Sequence, residues 1–565
     1  MEFIQRKTAD RAVNHFLLKA ADQEITVAWD RFEGQLPECG FCESGLSCRD
    51  CLQGPCISHP FRDQSKLGVC GKDKDILAAQ SLLRLVLKGT LSYLDQLNDF
   101  ADGVQAGSVK PADKKQAEKT LKAILDLMHT GNSEVVDEFP AALVEGWKAA
   151  GIAPRGIAND VFKASQRLEG GFSDMEETLL WSFKTALLGC MADRLQQRLK
   201  AAVFGDTAAS ELEVNLGILK KDVPTILLCG PISPLLKQKI AKAAEEKNVS
   251  VMGVCTDPLL PPYRFFPVTT YVSQEIPLMT GAVDLIVAGS QFVNPSLAEV
   301  AKDWKVTVVP TDGLNQNQNS DAFAQKIVEQ AQHAFEMRQN ITRDIPMVKE
   351  AAVMGYSAAN VDIKKIVAAL DAGKIKGIAI LAGSNNVKYT QDEVLVTIAK
   401  QLLANDILCI SEGEASVSLA KYRLLDPARR DKDCGAGINE LLDALGDKLP
   451  SVIDWRLTDF LLALAGAGDK ALSDYPICAY FPEANRTAEV TKAMWTVAMG
   501  VSTYFWPCLP VTGSARTQRA LEDLCRDKFG AALHVLTQKI DARTKAGLFL
   551  KTIDAPATMS GKSWE

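Results

Sequence analysis

Histidine is scarce in this chain. Its five residues, His15, His59, His129, His333 and His534, are scattered over 565 positions. That argues against a metal centre or an acid–base pair built on imidazoles. Long apolar runs are missing too: no stretch approaches the roughly 18 apolar residues that would cross a bilayer. The N-terminal MEFIQRKTADRAVNHF is too polar for a secretory signal. No long run of Lys and Arg occurs and the net charge is −7, so neither nucleic acid nor an anionic membrane is an expected partner. There is no short-period repeat and no low-complexity tract. These absences lead to the expectation of a cytoplasmic protein, where thiols stay reduced and clustered cysteines more often bind metal than form disulfides.

The length implies three or four domains at about 150 residues each. Residues 1–222 read as helical, with apolar residues at helical spacing over 75–97 and 177–199. From Val223 the pattern changes to short apolar strands, 224–230, 249–255, 283–289 and 305–311, alternating with helices, and a helix over roughly 320–345 leads out of the unit. A second such series begins near Ile375, with candidate strands at 377–384, 406–413, 476–483, 502–510 and 532–538. Buried strands alternating with helices predict parallel sheets. The expected fold is α/β: a helical domain carrying a cysteine loop (1–222), then two doubly wound parallel-sheet domains (223–347 and 348–565).

Six of the fourteen cysteines fall in one stretch, CGFCESGLSCRDCLQGPC followed by GVCG. Cys48, Cys51, Cys56 and Cys70 could complete one [4Fe–4S] cube, since such clusters are held by four cysteines at short intervals. The intervening glycines and Pro55 let the backbone wrap closely. Cys39 and Cys42 remain. Two ligands cannot finish a cluster alone, but two from each chain across a two-fold axis can, which predicts a cluster shared across a homodimer. A structural zinc site is the competing reading, because paired CxxC spacings also suit zinc. Cys190, Cys409, Cys434, Cys478, Cys508 and Cys525 read as core packing.

The cysteine stretch resembles the N-terminal signature of the anaerobic nickel–iron carbon monoxide dehydrogenases, relatives of the hybrid-cluster proteins. The segments 272–296 and 434–446 and the GSN at 383–385 resemble that family in the same order, so the likeness covers most of the chain. It implies a homodimer of a helical domain and two Rossmann-like domains, with a cubane on Cys48, Cys51, Cys56 and Cys70. One more cluster would bridge the subunits. Many members bind it through residues matching Cys39 and Ser47; here the CxxC of Cys39 and Cys42 resembles the members with a bridging [2Fe–2S] cluster. A ferredoxin-like protein or a flavoprotein would be the electron partner.

The resemblance also implies a nickel-iron-sulfur centre between the Rossmann-like domains, where open α/β sheets bind ligands. Of the six ligand positions it implies, one keeps its ligand. Cys229 and Pro231 stand where a histidine is expected, Cys255 matches a cysteine, and Phe292, Gly383, Glu414 and Glu483 replace the others. Tyr93 stands where a histidine-rich stretch is expected, and Arg516 where a lysine is. Phenylalanine and glycine side chains cannot coordinate, and such sites need soft thiolates. Nickel is therefore expected to be absent and CO oxidation lost, leaving electron transfer or redox sensing. One alternative is an oxidoreductase with a remodelled metal site on Cys229, Cys255, Glu414 and Glu483; another is a subunit that supplies clusters to an active partner. The plainer expectation for the cleft is that Phe292 and Tyr93 fill it, or leave a small-molecule pocket, with the two carboxylates paired to Arg486 or Arg516.

Overall fold

The computed structural model describes residues 6–59, 66–129, 134–169, 174–311, 320–446, 449–468, 470–535, 543–544, 546–548 and 550. Helix α1 (Arg11–Asp22) starts where the Asp10 carboxylate accepts the amides of Ala12 and Val13, the N-terminal arrangement that satisfies otherwise orphaned donors. Its buried residues Val13, Phe16 and Ala20 pack with the first parallel sheet, joined by Trp29. The first residues of the chain therefore close over a sheet that begins some two hundred positions later.

The cysteine loop follows, built on a short antiparallel pair of strands, β1 (Ser47–Cys48) and β2 (Cys56–Ile57). Next come α2 (Lys74–Gln105) and α3 (Met175–Phe204), two long helices that pack along each other with Leu82, Val86, Leu97, Leu187, Met191 and Leu195 buried between and around them. Their chemistry accounts for their length: few β-branched residues, no proline, and Asp73 and Asp174 as capping side chains.

Strand β3 (Ser210–Val214) precedes the first sheet, which contains β4 (Thr225–Cys229), β5 (Ser250–Val254), β6 (Phe266–Thr269), β7 (Leu285–Ala288) and β8 (Thr307–Pro310) in the order β8-β7-β4-β5-β6, all parallel. Helix α4 (Pro234–Glu246) follows β4. Strand β9 (Glu350–Met354) then pairs antiparallel with β3, 140 residues earlier in register Ser210↔Met354. The second sheet comprises β10 (Gly377–Leu381), β11 (Ile407–Ser411), β12 (Val452–Asp454), β13 (Ile477–Phe481), β14 (Ser502–Phe505) and β15 (Leu533–Val535). Its order is β12-β11-β10-β13-β14-β15, again all parallel. Helices α5 (Gly413–Ala420) and α6 (Thr487–Ala498) follow β11 and β13.

Both sheets have the doubly wound order, in which the winding reverses beside the first strand. Strands β4, β7, β10, β11 and β13 are buried along their whole length, which is why their sequences are unbroken apolar runs with no alternation. The expected α/β architecture, a helical N-terminal region followed by two parallel sheets, is what the structure has. Among the described residues no helix is long and apolar enough to cross a membrane.

Helix α6 lies against both α2 and α3. At the crossing, a Cβ on Gly89 would stand 2.3 Å from the Thr487 carbonyl oxygen and 2.2 Å from Thr491 Oγ1, so only glycine allows this approach. Thr491 Oγ1 then donates to the Val86 carbonyl at 2.9 Å. This contact locks the helical region to the second sheet just beside the cleft.

Candidate functional site

The strand pair β1–β2 places Cys48 directly opposite Cys56. The turn between them carries Cys51, and the return of the chain before α2 brings up Cys70. All four line one cavity of about 110 Å³, together with Asp50 and Lys72. Asp50 accepts the Cys48 thiol at 3.3 Å and is itself held by Lys72 at 3.5 Å and Arg84 at 2.5 Å. Burial, and the nearby Asp50 carboxylate, raise the Cys48 pKa. The Val69 amide donates to Cys56 Sγ at 3.5 Å. The loop is seated on the protein through Gly45 (φ +81°), where a Cβ would lie 1.9 Å from the Pro510 carbonyl oxygen. Buried Leu46 packs there against Gly513.

Cys39 and Cys42 stand apart from this cavity, on the exposed first turn Gly40–Glu43. The Cys42 amide and thiol lower the Cys39 pKa. Around the loop Leu36, Leu52, Leu67 and Val69 are exposed, Leu52 completely. So many uncovered apolar side chains on one loop are a feature of association surfaces.

The second candidate site is the cleft at the carboxyl ends of the two sheets. The loops after β4 and β7, and those after β10 and β13, open at the reversal points of the two sheets. Side chains from both, and from α2, α3, α5 and α6, line a cavity of about 860 Å³ that includes Tyr93, Cys255, Phe292, Gly383, Glu414 and Arg486. Cys255 immediately follows β5 with φ +56°, and Phe292 lies in the loop after β7, also at φ +56°. Cys255 Sγ donates to Glu414 Oε1 at 2.6 Å, and the Tyr271 amide donates to the same oxygen at 3.0 Å. Arg486 pairs with Glu414 at 3.4 Å and with Glu489 at 3.2 Å, and its guanidinium lies 4.6 Å from the centre of the Phe292 ring. Burial raises the pKa of both Cys255 and Glu414; Arg486 works against the rise in each.

The remaining positions read from the sequence lie elsewhere. Cys229 ends β4 inside the apolar core, its thiol pushed up to about 12 by burial, and it does not line the cleft. Glu483 is buried and accepts Asn385 Nδ2 at 3.0 Å. Hence Cys255 and Glu414 are brought together, whereas Cys229 and Glu483 do not join them in one donor set. Among the described residues no three His, Cys, Asp or Glu side chains are arranged around a single metal ion. Arg516, expected at the cleft, is exposed and pairs with Asp75 at 3.4 Å near the start of α2. Phe292 and Tyr93 do not fill the cleft; they form part of its wall, with Tyr93 against Trp495 at 5.1 Å.

Several cleft residues carry no sequence motif. Lys492 pairs with Glu412, and Arg456 with Asp193. Each pair joins residues far apart in the chain, so no local spacing could have announced it. The segment ISEGEAS at 410–416 carries Glu412 as well as Glu414, and both face the same cavity.

Comparison with known proteins bears on both sites. A model of the Prismane/CO dehydrogenase family matches residues 46–139 and 109–538. Carbon monoxide dehydrogenase 2 of Carboxydothermus hydrogenoformans is 28% identical over 99% of this chain and 99% of its own. The carbon monoxide dehydrogenase of Rhodospirillum rubrum is 27% identical, covering 95% and 96%. The structure of carbon monoxide dehydrogenase IV from C. hydrogenoformans superposes with a TM-score of 0.91 at 26% identity, over 99% of this chain and 100% of that one. A Ni-free carbon monoxide dehydrogenase from Thermococcus sp. AM4 gives 0.90 at 26% identity, over 99% and 98%.

Proposed function

The chain belongs to the Prismane/CO dehydrogenase family, and on that premise we propose that it is an iron–sulfur redox protein for electron transfer or redox sensing that does not oxidise CO. One contrast carries the reading. Four thiols surround one cavity in the cysteine loop, while the cleft side chains at the family's metal positions bond to one another.

The cysteine loop fits a cubane better than zinc. A tetrahedral zinc needs its thiolates converged on a point at about 2.3 Å. Here Cys48, Cys51, Cys56 and Cys70 ring about 110 Å³, several times the roughly 30 Å³ share of one water. The Val69 amide is an N–H donor to Cys56 sulfur of the kind that tunes cluster potentials. The buried Lys72 offsets negative charge on the thiolates. When bound, a cluster here would accept and release single electrons.

Cys39 and Cys42 would hold half of a [2Fe–2S] cluster shared with a second copy of the chain. Their exposure and the apolar side chains nearby favour that homodimer. A ferredoxin-like protein or a flavoprotein is the proposed electron partner.

In the cleft, Glu414 is occupied by Cys255, Tyr271 and Arg486, and Phe292 by Arg486. A carboxylate satisfied in this way is not offered to a metal, and we propose that nickel is absent. One observation favours a second reading: the cleft keeps about 860 Å³ with charged groups on its wall, as a site for a small substrate would. An oxidoreductase acting on a molecule other than CO would fit that cavity.

Iron, nickel and sulfide per dimer, measured on anaerobically purified protein alongside CO-dependent viologen reduction, test the proposal. Two cubanes and one [2Fe–2S] cluster give about ten irons, with no nickel and no viologen reduction. Stoichiometric nickel, iron well above ten, or CO-dependent turnover would each overturn it.

A further inference from the structure

Beside the cleft lies a buried amine that neither the cysteine loop nor the ion pairs described above employ. Lys237, at the start of α4, is 3% exposed. Its Nζ donates to Thr256 Oγ1 at 3.0 Å and to the Asp257 carbonyl at 2.7 Å, and it lies 4.4 Å from the centre of the Phe265 ring. A cavity of about 230 Å³ opens at this point, lined by Lys237, Ser233, Thr256, Asp257, Asp95 and Asp99. Gln96, Lys200, Cys255, Thr256 and Asp257 line both this cavity and the larger cleft. The two chambers thus share a wall.

Burial disfavours the ammonium form, and the pKa of Lys237 falls to about 7. Near neutrality the free amine is then accessible to Lys237. A neutral amine has two N–H donors, matching the two acceptors present, and it keeps a lone pair for nucleophilic attack. The charged groups around the cavity are mostly acidic. Asp95 and Asp99 come from α2; Asp257 comes from the loop after β5 and already pairs with Lys200. An anionic substrate would meet like charge here, whereas a cationic product would be favoured by those carboxylates and by the face of Phe265.

We propose that Lys237 is a Schiff-base site for a small uncharged aldehyde reaching it from the interdomain cleft. The amine nitrogen adds to the carbonyl carbon, and the π pair moves to oxygen, which takes a proton to give a carbinolamine. That oxygen leaves as water with a second proton, delivered by solvent at the Asp95–Asp99 rim. The nitrogen keeps one proton and becomes a cationic iminium. One C–N π bond replaces one C–O π bond, and nothing is oxidised or reduced.

The test uses the full-length protein as purified. It is incubated with acetaldehyde and cyanoborohydride at pH 7, and ethylated lysines are mapped by peptide mass spectrometry. Exposed lysines such as Lys148 and Lys302 serve as the internal references. The expected result is ethylation of Lys237 at least about tenfold faster than theirs. The preference should shrink as the pH rises toward 10 and should vanish when glyoxylate replaces acetaldehyde. A purely structural lysine, sealed under Thr256 and Phe265, would stay unmodified. That outcome, or labelling no faster than at Lys148, overturns the proposal; equal labelling by glyoxylate overturns its restriction to uncharged aldehydes.

Discussion

Cys255 donates its thiol proton to Glu414 across 2.6 Å, and the same carboxylate oxygen takes the Tyr271 amide. The two residues come from different sheets: Cys255 follows β5 of the first, and Glu414 opens the helix after β11 of the second. Their bond, with Arg486 behind it and Phe292 stacked on Arg486, ties the two halves of the cleft together. It also holds the thiol protonated, because burial and the carboxylate both oppose a thiolate.

Phe292 and Arg486 line the cleft on one side and an open surface groove of about 820 Å³ on the other. Phe292→Ala should therefore open a route to Cys255. Alkylation of Cys255 by a neutral maleimide should speed up about tenfold or more, read by peptide mass. An unchanged rate would show that the ring does not close that path.

Removing one thiol from each proposed cluster separates the two. In Cys56→Ala, iron should fall from about ten to about two per dimer as both cubanes are lost; in Cys39→Ala it should fall to about eight. If Cys39→Ala keeps all its iron and its visible spectrum, the bridging cluster is not bound there.

Gly89→Ala should destabilise the fold by about 1–3 kcal/mol, the usual range for forcing an extra methyl into a packed contact, since Thr487 backbone stands in its place. Gly146, in the helix Ala141–Ala149, meets nothing within 4 Å. Gly146→Ala should instead stabilise by up to about 1 kcal/mol. Urea midpoints at constant m-value would compare the two, and equal effects would contradict the helix-crossing argument.

His534 stacks on Tyr504 at 4.4 Å, and burial lowers its pKa from 6.5 to about 4. The folded state then binds fewer protons than the unfolded one between those values. This contribution is intact above pH 6.5 and is lost as the pH falls toward 4. His534→Phe should flatten the decline of Tm over that window. A variant with the same slope as the parent would sink the assignment.

Much of the fold was legible in the chain, for a physical reason. Strands buried on both faces must be apolar throughout, so β4, β7, β10, β11 and β13 stood out as short apolar runs; β5, β8 and β14 are only partly buried but are apolar enough to read the same way. Of the run at 532–538, Leu533–Val535 is strand β15 and 536–538 lie outside the described residues. What stayed hidden was short or non-local. Strands β6 and β12 have four and three residues and sit at sheet edges; Pro267 breaks the apolar run of the first and Asp454 ends that of the second. The pair β3–β9 joins segments far apart in sequence, and neither segment alone says what it pairs with.

The candidate sites divide in the same way. The cysteine quartet is local, carried by a single hairpin and the return to α2, so its spacing alone determined which thiols could share one cavity. The cleft is made by the meeting of two sheets. Which strand-end residue faces it depends on winding order and on rotation about each strand's end: Cys229 turns into the core while Cys255, one strand over, turns into the cavity. An arginine partner for Glu414 was an expectation from the sequence; only the tertiary structure could decide that it would be Arg486 with the Cys255 thiol beside it, that Glu483 would turn to Asn385, and that Arg516 would pair with Asp75 away from the cleft. Sequence proximity sets which side chains of a loop can meet; electrostatic pairing across an interface is set by the packing that brings the two faces together.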